Sequence, residues 1–486
     1  MPSASNGVDR RIWAHPILEF KRGKKVKFYF EGKEVEGYEN ESIAIALYAS
    51  GIDILSWTPQ GRPRGAFCMI GKCSSCFMVV NGVPNTRTCR EPVREGLQVF
   101  RQRGLPSIPE VREEGESPEE EVLETDVLII GGGPAGLSAA LKAAEYGLNV
   151  LLVEDHFRLG GQLVKQTHKF FGSKELFGGL RGFQIAEMLA DKVLNNENIK
   201  VLTETIAYGV FRDGWVGLAS KNKHYRVRAK TMIFATGAHE NYLAFPGNDL
   251  PGVMGAGGAQ TLMNEYGVRP GNNALVVGAG NVGLIIAYQL LQAGVNVKGI
   301  VEIMPQIGGW AVHAAKVRRY GIPIFTRHTI KRVWGKDRVE GATIVQVDEN
   351  FQPIPGTEKD IECDLVLLAV GLTPDASLLA QTGAKMAWVS ELGGLVAYRT
   401  KYMETTVPGV FIAGDVKGIE EATVAMLEGQ IAALSAVIKV KGEIPKAVEE
   451  REKLVKILDE YRQSPLLARV REGIKKVLLT EGECYE

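Results

Sequence analysis

Two stretches of this chain repeat one order of apolar run, glycine turn and apolar helix. The run TDVLII at 125–130 is short, continuous and apolar, as in strands buried on both faces of a parallel sheet. It leads straight into GGGPAGLSAALKAAEYG, whose small and apolar residues recur at helical spacing, and NVLLVE then completes a β-α-β unit at Glu154. The order returns in ALVVGAGNVGLIIAYQLLQAG from residue 274, followed by NVKGIVE and Glu302. One α/β unit is thus predicted twice, which is not a solenoid repeat. Residues 274–295 are long enough to span a bilayer, but three glycines in their first half, with Asn281, Gln289 and Gln292, favour a buried strand, turn and helix.

The amino-terminal pattern is different. Short strands (KVKFYFEG, EVEGY, CFMVVNG) surround one helical stretch, SIAIALYASG, in the order of a β-grasp ferredoxin. The basic run KRGKKVK at 21–27 is expected to form a charged hairpin edge that discourages sheet pairing. PEVREEGESPEEEVLETD, rich in Glu with Pro and Gly, is expected to be a solvated acidic linker at 110–124. At 486 residues the length suggests about three domains. Lys and Arg together number 57, as do Asp and Glu, so charge makes no case for nucleic acid or an anionic membrane. MPSASNGVDRR carries no apolar signal stretch, and six cysteines in so long a chain are not a disulfide scaffold; a cytoplasmic location is expected.

Four of those cysteines, Cys68, Cys73, Cys76 and Cys89, have the Cys-x4-Cys-x2-Cys…Cys spacing of a plant-type 2Fe–2S ligand set. Structural zinc also uses Cys-x2-Cys, but zinc ribbons usually pair two such units, and only Cys73/Cys76 has that spacing. A thioredoxin-like redox pair would want a strand-to-helix setting, whereas FMVVNG after Cys76 reads as a strand entering an Asn-Gly turn. Gly65 and Gly71 let the backbone wrap closely, and Ser74 and Ser75 can donate hydrogen bonds to sulfur.

Each glycine turn has its strand before, its helix after and an acidic residue just over 20 positions on. Gly131 makes the tight turn, Gly133 admits a pyrophosphate and Gly136 allows close helix packing, with Pro134 and Ala135 opening the helix. Gly278, Gly280 and Gly283 take the same places in the second copy, with Asn281 and Val282 opening its helix. Unpaired helix amides and the positive dipole end receive the pyrophosphate there. Glu154 and Glu302 are expected to accept from ribose hydroxyls; IMPQIGGW after Glu302 has no arginine, which favours NAD over NADP. Gly161 and Gln162 join the first site, as do Thr236 and Gly237, where TMIFATGAHE ends in a glycine turn; Gly371 is the counterpart in the second.

GVFIAGDV places Gly414 and Asp415 after another buried strand, and with these motifs the chain from 125 to about 440 resembles two-dinucleotide-binding-domain flavoproteins. The resemblance implies that Asp415 reaches the FAD ribityl chain. It also implies an FAD domain at 125–251 and 372–440, split by an NAD domain at 252–371, between a ferredoxin-like domain at 1–109 and a helical segment at 441–486. Redox cysteines like those of disulfide reductases are missing from GGQLVKQTHKFFG, and Cys363 in IECDLVLL reads as an inert buried thiol.

A ferredoxin-like domain ahead of such a core is similar to the α subunits of archaeal dye-linked L-proline dehydrogenases and heterotetrameric sarcosine oxidase, and to hydrogen cyanide synthase components. The resemblance implies an electron-transfer subunit beside a flavin-containing amine dehydrogenase β subunit. Small ferredoxin-like subunits or another electron acceptor, and FMN at a subunit interface, also belong to the family's repertoire. In related α subunits the first site takes FAD, ATP or NAD, and Asp415 favours FAD. Many relatives have a second cysteine cluster near the carboxyl end; here there is only Cys484, and Val448, Leu454, Ile457, Leu458 and Tyr461 form an amphipathic helix face.

The leading expectation is an oxidoreductase subunit of an L-proline dehydrogenase-like complex with NADH:acceptor activity of its own, cytoplasmic or peripheral on the inner membrane face through its partners. Alternatives are a regulatory or scaffold subunit binding ATP or NAD, and a self-sufficient amine dehydrogenase using His168, His239 or His313. Cys73→Ser should abolish the cluster's visible absorbance and its coupling to dye or ferredoxin while nucleotide binding through Gly131 and Glu154 persists. Absorbance and nucleotide titration of the reconstituted variant check this.

Overall fold

A computed structural model describes residues 8–104, 106, 119–170, 174–221 and 223–480. The chain divides into two compact units, Met1–Val111 with Glu240–Gly371, and Arg112–His239 with Leu372–Glu486.

In the first unit a five-stranded sheet runs in the order Lys33–Tyr38, Lys25–Phe30, Gln98–Arg101, Phe77–Val80, Val83–Arg87. Only the pair Lys25–Phe30 and Gln98–Arg101 is parallel, the β-grasp arrangement. Alternation in KVKFYF buries Val26, Phe28 and Phe30 against helix Ile43–Ala49, every residue of which is buried. Ser42 caps that helix by accepting from the Ile45 N–H at 3.4 Å. The basic run is not an edge. Strand Lys25–Phe30 lies inside the sheet, paired along its length with Lys33–Tyr38 and at Tyr29 and Phe30 with Gln98–Arg101, and its lysines face solvent, where Lys25 meets Glu36 at 2.8 Å and Lys27 meets Glu34 at 2.9 Å across the hairpin.

The remainder of this unit is a five-stranded parallel sheet, Val253–Gly255, Leu365–Leu368, Asn273–Val277, Asn296–Glu302 and Ile324–Thr326, with an antiparallel three-stranded sheet beside it. The apolar stretch from 274 is thus strand Asn273–Val277, a turn and helix Asn281–Gln292. The second segment of this unit runs from Glu240 to Gly371. Ile45, Leu47, Leu55 and Met78 share one core with Met254, Ala256, Ala259 and Leu262, so the ferredoxin-like and inserted folds bury apolar surface together.

The second unit is built on a seven-stranded sheet, in the order Ile199–Leu202, Val150–Val153, Glu119–Ile130, Lys223–Phe234, Trp215–Ala219, Ile206–Val210, with Val410–Ile412 alongside Met232–Phe234. The expected linker is shortened by this sheet. Residues 107–118 lie outside the described residues, but Glu119–Glu124 begin a twelve-residue strand paired with the basic strand Lys223–Phe234. Lys223 meets Glu121 at 2.9 Å and Lys200 meets it at 3.1 Å, so the acidic run has a cationic partner that no local pattern reveals.

Helix Ala422–Lys441 is the one described helix long and apolar enough to cross a membrane, and most of it is buried against helix Pro134–Glu145 in the unit's core. Helix Pro445–Arg462 buries Leu454, Val455 and Leu458 in the same core, with Val448, Ile457 and Tyr461 partly covered; Cys484 lies outside the described residues.

The cluster loop rests on a seat of glycines. The Gly255 N–H donates to the Phe67 carbonyl at 3.2 Å, and a Cβ on Gly258 would stand 2.1 Å from that same oxygen. Gly258→Ala should cost the first unit about 1–3 kcal/mol as an overpacked contact and loosen the cysteine loop, while the second unit melts as before. Calorimetry with the cluster's visible absorbance checks this.

Candidate cofactor sites

The four cysteines gather in the first unit. Cys68, Cys76 and Cys89 are buried, and Cys73 is partly exposed. The backbone reaches this shape through left-handed Met69 (φ 54°), Gly71 (φ 82°) and Ser74 (φ 61°), which turn amides inward. Cys68 Sγ accepts from the Cys73 N–H at 3.4 Å and the Ile70 N–H at 3.5 Å. The thiols form two hydrogen-bonded pairs, Cys68 with Cys73 and Cys76 with Cys89. Sharing a proton with Cys68 holds Cys73 down to about 5 and pushes Cys68 up; Cys89 likewise lowers Cys76 and is itself raised.

Two thiolate pairs suit two irons. Among the described residues, no three His, Cys, Asp or Glu side chains are disposed around a point that would hold a single ion. Sequence reasoning missed Tyr242, which hydrogen-bonds Cys73 and stacks on Phe67 with ring centroids 4.3 Å apart. It lies 174 residues beyond Cys68, and no pattern in the chain marks it.

The second unit assembles the first glycine site from segments far apart in the chain. Gly131 (φ 111°) needs a left-handed backbone, and a Cβ there would stand 2.2 Å from the Ala235 carbonyl, beside Thr236. Gly133 precedes helix Pro134–Glu145, and a Cβ on Gly136 would meet the Gly131 carbonyl at 1.8 Å. Gly161, opening a turn that includes Gln162, approaches the Gly133 Cα, and Gly414 approaches Ala135. Thr236 Oγ1 donates to the Asp375 carbonyl at 2.7 Å, and the Asp375 N–H donates to the Gly237 carbonyl at 2.9 Å. Glu154 closes the site: its Oε2 accepts from the Gly132 N–H at 2.7 Å and its Oε1 from the His156 N–H at 2.8 Å. Burial, with Asp155 adjacent, pushes the Glu154 carboxyl up to about 7.

The second glycine site, in the first unit, repeats this construction. Gly278 (φ 105°) lies against the Ala369 carbonyl, Gly280 precedes helix Asn281–Gln292, and Gly283 packs on the Gly278 carbonyl. Glu302 Oε2 accepts from the Ala279 N–H at 2.7 Å and Oε1 from the Met304 N–H at 2.9 Å. Asn281 Oδ1 accepts from the Trp310 N–H at 2.8 Å, Val282 is exposed, and Gly371 (φ 109°) follows strand Leu365–Leu368.

Beyond Gly161, sequence reasoning missed one glycine at each site. Gly160 and Gly308 each stand six residues after their glutamate, and each donates its N–H to the matching loop carbonyl, Gly132 at 2.8 Å and Ala279 at 3.2 Å. The shared Glu-x5-Gly-Gly spacing was readable in the chain. Both sites fit a dinucleotide: a helix N-terminus, a loop of glycine with at most one alanine and a carboxylate at the strand end.

The histidines are dispersed. His168 and His239 belong to the second unit, while His313 is buried in the first on helix Ala311–Arg319. Cys363 is buried in the first unit, where desolvation pushes its thiol up to about 12, in keeping with an inert core residue.

A pyridine nucleotide-disulphide oxidoreductase model matches residues 125–429, and a 2Fe-2S iron-sulfur cluster binding domain model matches residues 23–104. The sarcosine oxidase subunit alpha of Rhizobium meliloti is 26% identical over 442 residues, 77% of this chain and 43% of that protein. Hydrogen cyanide synthase subunit HcnB of Pseudomonas protegens is 28% identical over 330 residues, 64% of this chain and 70% of that protein. The crystal structure of L-proline dehydrogenase from P. horikoshii shares 31% identity and a TM-score of 0.69, covering 91% of this chain and 79% of that one. The chain spans less than half the length of the sarcosine oxidase subunit it matches.

Asp415 allows a pH test. Part of its side chain meets solvent, yet the protein around the carboxyl pushes it up to about 6 from 3.8. The folded state therefore holds this proton more tightly than the unfolded chain, and its contribution to stability is lost as pH rises from about 4 through 6. Asp415→Asn, which cannot ionise, should raise the melting temperature of the nucleotide-free protein more at about pH 7.5 than at about pH 5. Calorimetry at both pH values checks this; equal shifts contradict it.

Proposed function

The chain belongs to the pyridine nucleotide-disulphide oxidoreductase family, alongside the sarcosine oxidase alpha subunits and the P. horikoshii L-proline dehydrogenase chain, and on that premise we propose that it is the electron-transferring subunit of a dye-linked dehydrogenase for L-proline or a related secondary amine. It is an oxidoreductase of the FAD- and NAD-binding type with a 2Fe–2S domain. The observation that carries the proposal is the combination, in one chain, of two glycine sites of full construction with a paired-thiol loop. Among the described residues Cys363 is the one cysteine outside that loop, and it has no second cysteine there with which to form a redox disulfide.

In this reading the first site, from Gly131 to Asp415, holds FAD, and the second, around Gly278, Gly280 and Glu302, holds NAD(H). When bound, FAD accepts a hydride and the cluster accepts single electrons, which joins two-electron to one-electron chemistry. The chain's own residues bind and orient. Amides at the start of helix Pro134–Glu145 would neutralise the pyrophosphate, Glu154 would fix the ribose and Asp415 the ribityl chain. Cys68 with Cys73 and Cys76 with Cys89 would each hold one iron, with the Cys73 side facing outward. The amine would be oxidised on a separate flavin-containing subunit. A cytoplasmic location is supported by thiolate chemistry that suits a reducing compartment.

The test is anaerobic reconstitution of the whole chain with iron and sulfide, followed by mass analysis of the extracted nucleotide and titration with NADH. FAD in the extract, with NADH reducing the cluster and L-proline reducing it only when the partner subunit is present, is the expected result. ATP in the extract without NADH reduction would make this a regulatory subunit. Proline turnover by the isolated chain would make it a complete dehydrogenase.

A further inference from the structure

Behind the Gly414–Asp415 turn, the second unit buries a set of charges that nucleotide binding by itself does not explain. Lys417 and Glu428 are fully buried, and Arg462 is nearly so. Glu428, within helix Ala422–Lys441, has two tasks. Its Oε2 accepts the Gly414 N–H at 3.1 Å, while Oε1 meets Lys417 Nζ at 2.9 Å and Arg462 Nη2. Arg462 also forks onto Glu420, with Nη2 to Oε1 at 2.6 Å and Nε to Oε2 at 3.0 Å. The Glu420 N–H in turn donates to Asp415 Oδ1 at 3.3 Å. Arg399 adds a further buried cation whose field acts on Glu428.

This set lies at the mouth of the first glycine site. A Cβ on Gly429 would stand 2.1 Å from the Ala135 carbonyl, and one on Gly414 would stand 3.1 Å from the Ala135 Cβ, so both segments abut the first turn of helix Pro134–Glu145. Arg462 is the last residue of helix Pro445–Arg462, far along the chain from every nucleotide motif. Burying so many charges in a core is unfavourable unless each is paired, and an apolar set of the same volume often serves stability as well or better. Retaining them therefore points to a role in geometry: they fix both ends of the Gly414–Asp415 turn at once.

We propose that Arg462 is a positioning residue for the first dinucleotide site, acting through Glu428 on the Gly414 N–H and through Glu420 on Asp415, so that the carboxyl-terminal helix sets how tightly the flavin is held. The proposal rests on FAD as the occupant of that site. Arg462→Met leaves two buried carboxylates with Lys417 as their one remaining ion-pair partner in this set and Arg399 acting on them only through its field, which loosens the turn. Arg462→Lys keeps the charge but loses the fork.

The experiment measures FAD affinity of the full chain by flavin fluorescence, visible circular dichroism of the bound flavin, NAD affinity and the melting curve, for wild type and both variants. Arg462→Met should weaken FAD roughly ten- to a hundredfold, the worth of a charge-assisted hydrogen bond, and alter the flavin dichroism, with NAD affinity unchanged. Arg462→Lys should recover part of the loss. If Arg462→Met does not fold, Glu428→Gln carries the test, since the amide still accepts from Gly414 while the charge anchored by Arg462 is gone. Folded variants with wild-type FAD affinity and dichroism would overturn the proposal alone. Wild-type protein that does not bind FAD would overturn it together with the reading of the site.

Discussion

Each nucleotide site depends on a carboxylate that ties a glycine loop to the end of the neighbouring strand. Glu154 and Glu302 each accept two backbone N–H groups, one from the loop and one from two residues further along their own segment. A carboxyl oxygen has more than one acceptor position, so each group keeps capacity for a ribose hydroxyl after tying the loop. The same side chain thus completes the fold and prepares the site. Removing it would leave buried donors without a partner, which costs more than a surface hydrogen bond returns.

The paired construction explains why one glycine pattern is visible at both sites. Gly131 and Gly278 share a left-handed turn, Gly136 and Gly283 share a contact with the loop carbonyl, and Gly160 and Gly308 bond the same loop position. At Gly131, Gly278, Gly136, Gly283 and Gly160 a Cβ would clash with its neighbours, so physical exclusion holds those glycines in place. The copies then diverge in what is built around them. The second is packed against the cysteine loop in one core, and the first is covered by two carboxyl-terminal helices.

The cysteine loop has the opposite economy. It contains little regular structure, and its shape is imposed by sulfur, by three left-handed residues and by the glycines at 255 and 258 on which the Phe67 carbonyl rests. Tyr242 closes over its outer side by stacking on Phe67. A ligand loop that is held from below by backbone contacts can keep its cysteines close to their required positions without a core of its own.

Much of this was legible in the chain because the determinants are local. The Cys-x4-Cys-x2-Cys spacing, the two glycine turns with their glutamates, and the alternation in KVKFYF each act over a few residues, where sterics and periodicity decide the outcome. Long-range pairing is another matter. The glutamates at 119–121 read as linker until the basic strand at 223–234 lies beside them, and the strand carrying Lys25 and Lys27 reads as an edge until Gln98–Arg101 pairs with its end at Tyr29 and Phe30. Arg462 lies 34 residues from Glu428, which lies 14 from Gly414, and no spacing betrays the set. The sequence by itself determined which cofactor chemistry the chain can hold, since that is set by residue type at short range. Only the tertiary structure decided what braces those sites, because a buried charge finds its partner through packing and not through order along the chain.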